Sequence, residues 1–316
     1  MAAQAAINRL DLVERAKFNQ DKPREVLATI KGLLESGEIR LKDIAKFGNY
    51  SQSVISQFLS GDYAGDVASV EDVVVRFYRY WVANNAIVQT KVVEEIHAVM
   101  TLAWKRKEIA LVKGHFGRGK TKAASRFEAL NDFAIRVELS GVTSPTELLH
   151  RVGDALGIAS SMSGSRSDKL QAIVRNLQRS PKLIIIDEAD ELRPRTLALL
   201  KDIHGEGTER CGIVLIATQR FDRLLKNPEL GYLRRRITIK REIGDIDLKE
   251  AREIVALWPN SLDTEDLKKA FSWSMNHFGV ASLVNLMMRA YDEMQLRAKR
   301  KIDEECLEAA YAWLVD

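Results

Sequence analysis

The sequence predicts an α/β protein whose core is a parallel sheet covered by helices, with an all-α segment before it and a helical segment after it. Three observations carry this. Five short apolar runs read as strands: Ile109 to Lys113, Phe133 to Leu139, Leu183 to Asp187, Ile213 to Ala217 and Ile237 to Ile239. Helical stretches separate most of them, and strands alternating with helices imply a parallel sheet with helices on both faces. On either side, from Arg24 to about Trp81 and from Leu248 to Asp316, apolar residues recur at helical spacing instead.

The size and composition agree with such an assembly. At 316 residues the chain exceeds one minimal domain, since domains run to ~100–200 residues. Its 46% hydrophobic and 29% charged residues are those of a soluble globular protein and exclude a wholly disordered or membrane-embedded chain. The net charge of +4, from 48 basic and 44 acidic side chains, is mild, so a nucleic-acid site has to come from local clustering. Cys211 and Cys306 form no CxxC pair, and the five histidines lack the short spacing of metal ligands. No apolar run approaches the ~20 residues needed to cross a bilayer, and the N-terminus has no apolar signal core, so a cytoplasmic location is expected.

In the front segment Val26, Ile30, Leu33 and Leu34 form one helical stripe; Ile44 belongs to a second helix and Val54, Ile55, Phe58 and Leu59 to a third. Gly48 and Asn49 supply a turn between the last two, and Ser51 caps the helix that follows. Val82 to Gln89 carries no strong pattern and reads as a linker. A new helix then starts with Val92, Ile96, Val99 and Met100. The expected domains are 1–88, 89–245 and 246–316. Ser160 to Ser167 is the one loop-like low-complexity stretch.

The run G-H-F-G-R-G-K-T, from Gly114 through His115, Phe116, Gly117, Arg118, Gly119 and Lys120 to Thr121, follows the first strand and precedes a helix expected to begin near Lys122. This is the P-loop pattern in its required context. Its glycines let successive N–H groups converge on phosphates, and the helix presents its positive end to the same anion. Lys120 reaches the β- and γ-phosphates of ATP, and Thr121 ligates Mg²⁺. Further on, L-I-I-I-D-E-A-D from Leu183 to Asp190 is a buried strand ending in carboxylates. Asp187 holds Mg²⁺ through water, and Glu188 either orients and deprotonates the attacking water or merely caps the next helix. Asp190 and Glu191 are read as helix-start charges or oligomer contacts. Thr218, at the end of the next strand, is either a water-positioning sensor or a hydroxyl satisfying a loop. The triplet Arg234, Arg235 and Arg236 is either a solvated face or the source of an arginine finger for a neighbouring subunit, with Arg236 first and Arg235 second. No metal beyond a nucleotide-bound Mg²⁺ is expected.

This constellation resembles the AAA+ ATPases and, more narrowly, the family of the B transposition protein of phage Mu and its TnsC-like relatives. The similarity covers most of the chain, from L-K-D-I-A-K-F-G-N-Y-S-Q-S-V-I-S-Q-F-L-S-G-D-Y-A-G-D (Leu41 to Asp66) through the P-loop and I-I-I-D-E-A-D to the R-R-R-I segment. The front stretch looks like that family's helix-turn-helix. The resemblance implies an AAA+ core with a helical lid, preceded by an all-α helix-turn-helix domain. It also implies an ATP-dependent protein that binds double-stranded DNA with little sequence preference, assembles on it with copies of itself as a helical filament or ring, and delivers that target to a transposase. Hydrolysis would drive disassembly, in the cytoplasm of a bacterial or phage-infected cell. Two positions depart from the pattern: Ser282 stands where many lids carry a sensing arginine, with Arg289 as a weak substitute, and Thr218 replaces the usual asparagine.

For DNA contact, Ser51, Gln52, Ser53 and Gln57 are expected to face outward as short polar donors, unless the helix-turn-helix docks protein. Arg166, Lys169, Arg175 and Arg179 form the most clustered basic group of the core, or else a solvated helix face. Arg297, Lys299, Arg300 and Lys301 form a second basic cluster. Two other functions compete: a replication- or loader-type AAA+ protein, and a protein-remodelling or secretion-type ATPase that does not bind DNA.

Overall fold

The computed structural model describes residues 23–139, 144–205, 210–258 and 262–314. They gather in two compact units. One comprises 89–246 with 278–281; the other comprises the residues up to Val88 with 247–277 and 282 onward. The front helices and most of the C-terminal helices thus share a unit, whereas the sequence pattern had separated them.

The front begins with α1 (Pro23–Glu35), α2 (Leu41–Gly48), α3 (Gln52–Ser60) and α4 (Val67–Asn85). Between α2 and α3 the chain reverses at Asn49, which sits in the left-handed region at φ 56, and the Ser51 hydroxyl accepts the Val54 N–H at 3.3 Å. Val26, Ile30, Ile44, Ile55, Val70, Val74 and Phe77 close a core with Tyr78, Trp81 and Val82. The last two correct the linker expectation for Val82 to Gln89: they continue the stripe of Val70, Val74 and Phe77, so α4 runs on to Asn85 before the chain extends.

The α/β unit starts with α5 (Lys91–Arg106) and proceeds through β1 (Ile109–Lys113), α6 (Lys120–Leu130), β2 (Ala134–Val137), α7 (Pro145–Ala155), α8 (Arg166–Arg179), β3 (Leu183–Ile186), the short helices α9 (Pro194–Leu197) and α10 (Leu200–His204), β4 (Gly212–Ala217), two more short helices, α11 (Phe221–Leu224) and α12 (Gly231–Arg236), and β5 (Ile237–Glu242). The expected loop Ser160 to Ser167 is partly ordered, because Ser165 caps α8 in a reciprocal capping box with Asp168. All strand pairs are parallel, in the order β2-β3-β4-β1-β5. The inner strands are unbroken apolar runs because helices cover both faces; every residue of β3 and β4 is buried. Edge strand β5 keeps Thr238, Lys240, Arg241 and Glu242 exposed, which blunts pairing with another sheet. Parallel order has one consequence for function: the C-terminal ends of β1, β3 and β4 lie at one edge, with Val112 opposite Ile216 and Ile186 opposite Leu215.

Helices α13 (Leu248–Val255), α14 (Thr264–Asn276), α15 (Val280–Leu296) and α16 (Glu304–Tyr311) complete the chain. Within the helical unit, Arg76 donates to Gln295 Oε1 at 2.6 Å and the rings of Tyr80 and Tyr291 stack at 5.8 Å. Among the described residues no helix is long and apolar enough to cross a membrane.

Candidate functional site

The P-loop spans β1 to α6. Gly117 and Gly119 adopt φ 74 and 79, conformations that only glycine takes cheaply. Gly119 ends the loop, so α6 starts at Lys120, one half-turn earlier than the expected Lys122. Gly117 is also held from outside. Its carbonyl accepts the Ala281 N–H at 3.0 Å, and a Cβ there would run into the Phe278 carbonyl. Gly117→Ala is therefore expected to cost ~1–3 kcal/mol of stability, read as a lower urea midpoint, and to weaken binding of a fluorescent ATP analogue.

Lys120 is half-buried at the first position of α6, and its ammonium donates to the carbonyls of Gly114 and His115, each at 2.7 Å. Burial lowers its pKa, with the Asp187 and Asp190 carboxylates pulling the other way. Arg118 pairs with Asp245. His115, Phe116, Thr121 and Lys122 are exposed, and the Arg220 guanidinium stands 5.9 Å from the centre of the Phe116 ring.

Asp187, buried at the end of β3, accepts the Glu188 N–H at 3.0 Å and has Arg136 of β2 at 3.8 Å. Glu188 itself sits at φ 53, an uncommon conformation for a non-glycine residue and one that recurs at functional sites. Its carboxyl is pushed up by burial first and then by neighbouring Asp187, Glu191, Asp190 and Glu138. A raised pKa suits a group that must accept a proton near neutrality. Thr218, at the end of β4, is buried, and Asp190 accepts both its backbone N–H and its hydroxyl.

These groups line one cavity of about 280 Å³ bounded by Phe116 to Lys122, Asp187, Glu188, Asp190, Glu191, Thr218 and Ala281. Whole-ligand pockets run to ~300–1,000 Å³, and this one lies just below that range. The structure therefore brings together most of the predicted P-loop residues with Asp187, Glu188 and Thr218, while Gly114 and His115 contribute their carbonyls to Lys120.

The remaining candidates are not among the residues that line this cavity. Arg235 is exposed, and the Arg236 guanidinium stands 5.2 Å from the Tyr232 ring. Ser51, Gln52, Ser53 and Gln57 are exposed on or beside α3. Arg166, Arg175 and Arg179 are exposed on α8, whereas Lys169 is half-buried with its ammonium 2.8 Å from His150 Nε2. In α15 Ser282 is buried, and the guanidinium of Arg289 lies 6.0 Å from the ring of Trp313.

Sequence reading missed two partners. Asp190 lies in the first turn of the short helix Ala189–Glu191, as its charge suggests, and is also the hydrogen-bond partner of Thr218. Arg136 is the cation beside Asp187. No local pattern marks either, since each meets its partner across adjacent strands.

The chain is similar in sequence and in fold to several known proteins. The family model for the AAA domain matches residues 102–225. The "ATP-dependent target DNA activator B" of Escherichia phage Mu is 27% identical over 247 residues, covering 74% of this chain and 78% of that protein. The "Mu-like prophage FluMu DNA transposition protein B" of Haemophilus influenzae is 25% identical over 252 residues, covering 76% and 87%. Among solved structures, the Aeropyrum pernix ORC1 protein in complex with DNA matches with a TM-score of 0.55 at 18% identity, over 72% of this chain and 66% of that one. Drosophila ORC bound to DNA matches with a TM-score of 0.55 at 15% identity, over 75% and 66%. In both cases the match spans slightly less than two thirds of the solved chain, and it is a likeness of fold. With its P-loop, its carboxylate-tipped β3 and its parallel sheet, this chain has a P-loop α/β fold that matches the AAA domain over residues 102–225 and resembles the phage Mu B target-DNA activators.

Proposed function

We propose that the chain hydrolyses ATP and, in its ATP-bound form, assembles with copies of itself on duplex DNA with little sequence preference, presenting that DNA to a transposase and leaving it after hydrolysis. The observation that carries this reading is the cavity formed by Lys120, Asp187 and Glu188, in a chain similar over most of its length to an ATP-dependent target DNA activator. In it, Gly114 to Lys122 cradle the phosphates, Lys120 supplies counter-charge, Glu188 is the base, and Arg236 or Arg235 serves a neighbouring copy. Thr121 and Asp187 are hard oxygen donors lining the same cavity and fit Mg²⁺, which usually takes one or two carboxylates plus substrate phosphates. When bound, the ion neutralises phosphate charge. Among the described residues no group of three or more His, Cys, Asp or Glu side chains could hold a metal of its own.

DNA contact is assigned to Arg166, Lys169, Arg175 and Arg179 on α8 and to Ser51, Gln52, Ser53 and Gln57 at α3. Fluorescence anisotropy on unrelated duplexes with ATP, ADP and no nucleotide tests this. The expected result is cooperative binding with ATP, similar on every duplex, with a log–log salt slope of roughly −0.9 per phosphate contact. Absence of binding in all three conditions sinks the DNA reading and favours a protein-remodelling ATPase. Tight binding to one sequence without ATP points to a repressor-like front segment.

A further inference from the structure

Both carboxylate oxygens of Asp190 are spent on Thr218. Oδ1 accepts the Thr218 backbone N–H at 3.1 Å, and Oδ2 accepts its hydroxyl proton at 2.6 Å. A carboxylate has only acceptors, and a hydroxyl has a single proton with two lone pairs. The Thr218 proton is therefore committed to Asp190, and Oγ1 meets everything else as an acceptor. One lone pair takes the Arg220 N–H at 3.3 Å. The other remains for the cavity that Thr218 lines with Lys120, Glu188 and Asp190.

This polarity decides what Thr218 can do. A phosphate oxygen is itself an acceptor, so an acceptor-only hydroxyl cannot hold it. A water molecule has two protons to give. Building on the hydrolytic reading of the cavity, we propose that Asp190 is a positioning residue for ATP hydrolysis: it fixes Thr218 Oγ1 as an acceptor, so that Thr218 and Glu188 each hold one proton of the attacking water. With both protons held, the water's oxygen lone pair is aimed at the γ-phosphorus. In the step itself, the water oxygen bonds to that phosphorus while the bond to the β–γ bridging oxygen breaks, its electron pair leaving on ADP. The proton held by Glu188 passes to its carboxylate, and the one held by Thr218 stays on the inorganic phosphate.

Asparagine at 190 reverses the arrangement with little change of shape. With its carbonyl on the Thr218 N–H, its NH₂ faces Oγ1 as a donor, and the hydroxyl must turn its own proton into the cavity. The test is steady-state ATP turnover by the full chain in wild type, Asp190→Asn, Thr218→Val, Thr218→Ser and the Asp190→Asn/Thr218→Val pair. Asp190→Asn and Thr218→Val are expected to lower kcat by about 10–100-fold, with KM for ATP held within about twofold. Thr218→Ser is expected to recover most of what Thr218→Val loses, and the pair to be no slower than its slower member, because both changes remove one interaction. Wild-type kcat in Asp190→Asn, or losses that multiply in the pair, would overturn the proposal. If Asp190→Asn melts below the assay temperature, the Thr218 variants decide: equal turnover in Thr218→Val and Thr218→Ser overturns it. A wild type that binds ATP without turning it over defeats the hydrolytic reading and this proposal with it, whereas normal wild-type turnover with an unaffected Asp190→Asn defeats this proposal alone.

Discussion

Lys120→Ala is expected to lose ATP binding, while Glu188→Gln binds ATP as wild type does and turns it over slowly. The two side chains line the same cavity but act at different stages. Lys120 is a half-buried cation at the N-terminus of α6, held over the loop by the Gly114 and His115 carbonyls. Removing it leaves the phosphates without their counter-charge in a partly desolvated site, and loss of such charge-assisted bonds weakens binding on the order of 100-fold. Glu188 is a carboxyl raised by burial and by its acidic neighbours; the amide keeps its shape and cannot take a proton. Removal of a general base lowers kcat by roughly 10²–10⁴-fold with little effect on ground-state binding. Equilibrium binding of a fluorescent ATP analogue, set beside phosphate release, separates the two. Equal ATP affinity in wild type and Lys120→Ala would sink the assignment of the site.

Arg236→Ala is expected to suppress turnover on the order of 10³-fold, the lower range of an arginine finger's contribution, and to be rescued by a protein that is itself inactive. Within one chain, neither Arg235 nor Arg236 is among the residues lining the cavity. The Arg236 guanidinium stands over Tyr232, and Arg235 is exposed. Both lie at the end of α12, immediately before β5. An arginine so placed can complete a neighbour's site rather than its own. Mixing Arg236→Ala with Lys120→Ala then pairs a chain with an intact nucleotide site and no finger with a chain that has a finger and no nucleotide. Recovery of part of the activity on mixing, and turnover per subunit that climbs with protein concentration, are the expected readings. An Arg236→Ala protein of full activity at every concentration would remove the composite site; a defect reproduced by Arg235→Ala instead would move the finger by one residue.

The local chemistry of this protein was legible in its sequence. The P-loop needs eight consecutive residues between a strand and a helix, and Gly114 to Thr121 carry that information within themselves. Unbroken apolar runs such as Leu183 to Ile186 announce strands buried on both faces, and the carboxylates that follow them, Asp187 and Glu188, line the cavity at the end of the sheet. The front helices were legible for the same reason, since Val26, Ile30 and Leu33 in α1 and Ile55 and Phe58 in α3 repeat at the spacing of a buried helical face.

What only the tertiary structure decided is which separate stretches meet. The order β2-β3-β4-β1-β5 sets Asp187 and Thr218 at the tips of adjacent strands. From the placement of β3 beside β4 follow the bonds of Asp190 to Thr218, and from that of β2 beside β3 the approach of Arg136 to Asp187. The continuation of α4 through Val82 and the grouping of the front helices with α13 to α16 in one unit depend on burial against residues far away in sequence. Periodicity reports the face a residue turns inward and is blind to what covers that face. Through-space pairs such as Arg76 with Gln295 and Tyr80 with Tyr291 arise only when the whole chain has closed its cores, which is why sequence determined the parts of the site and the fold determined how their hydrogen bonds are spent.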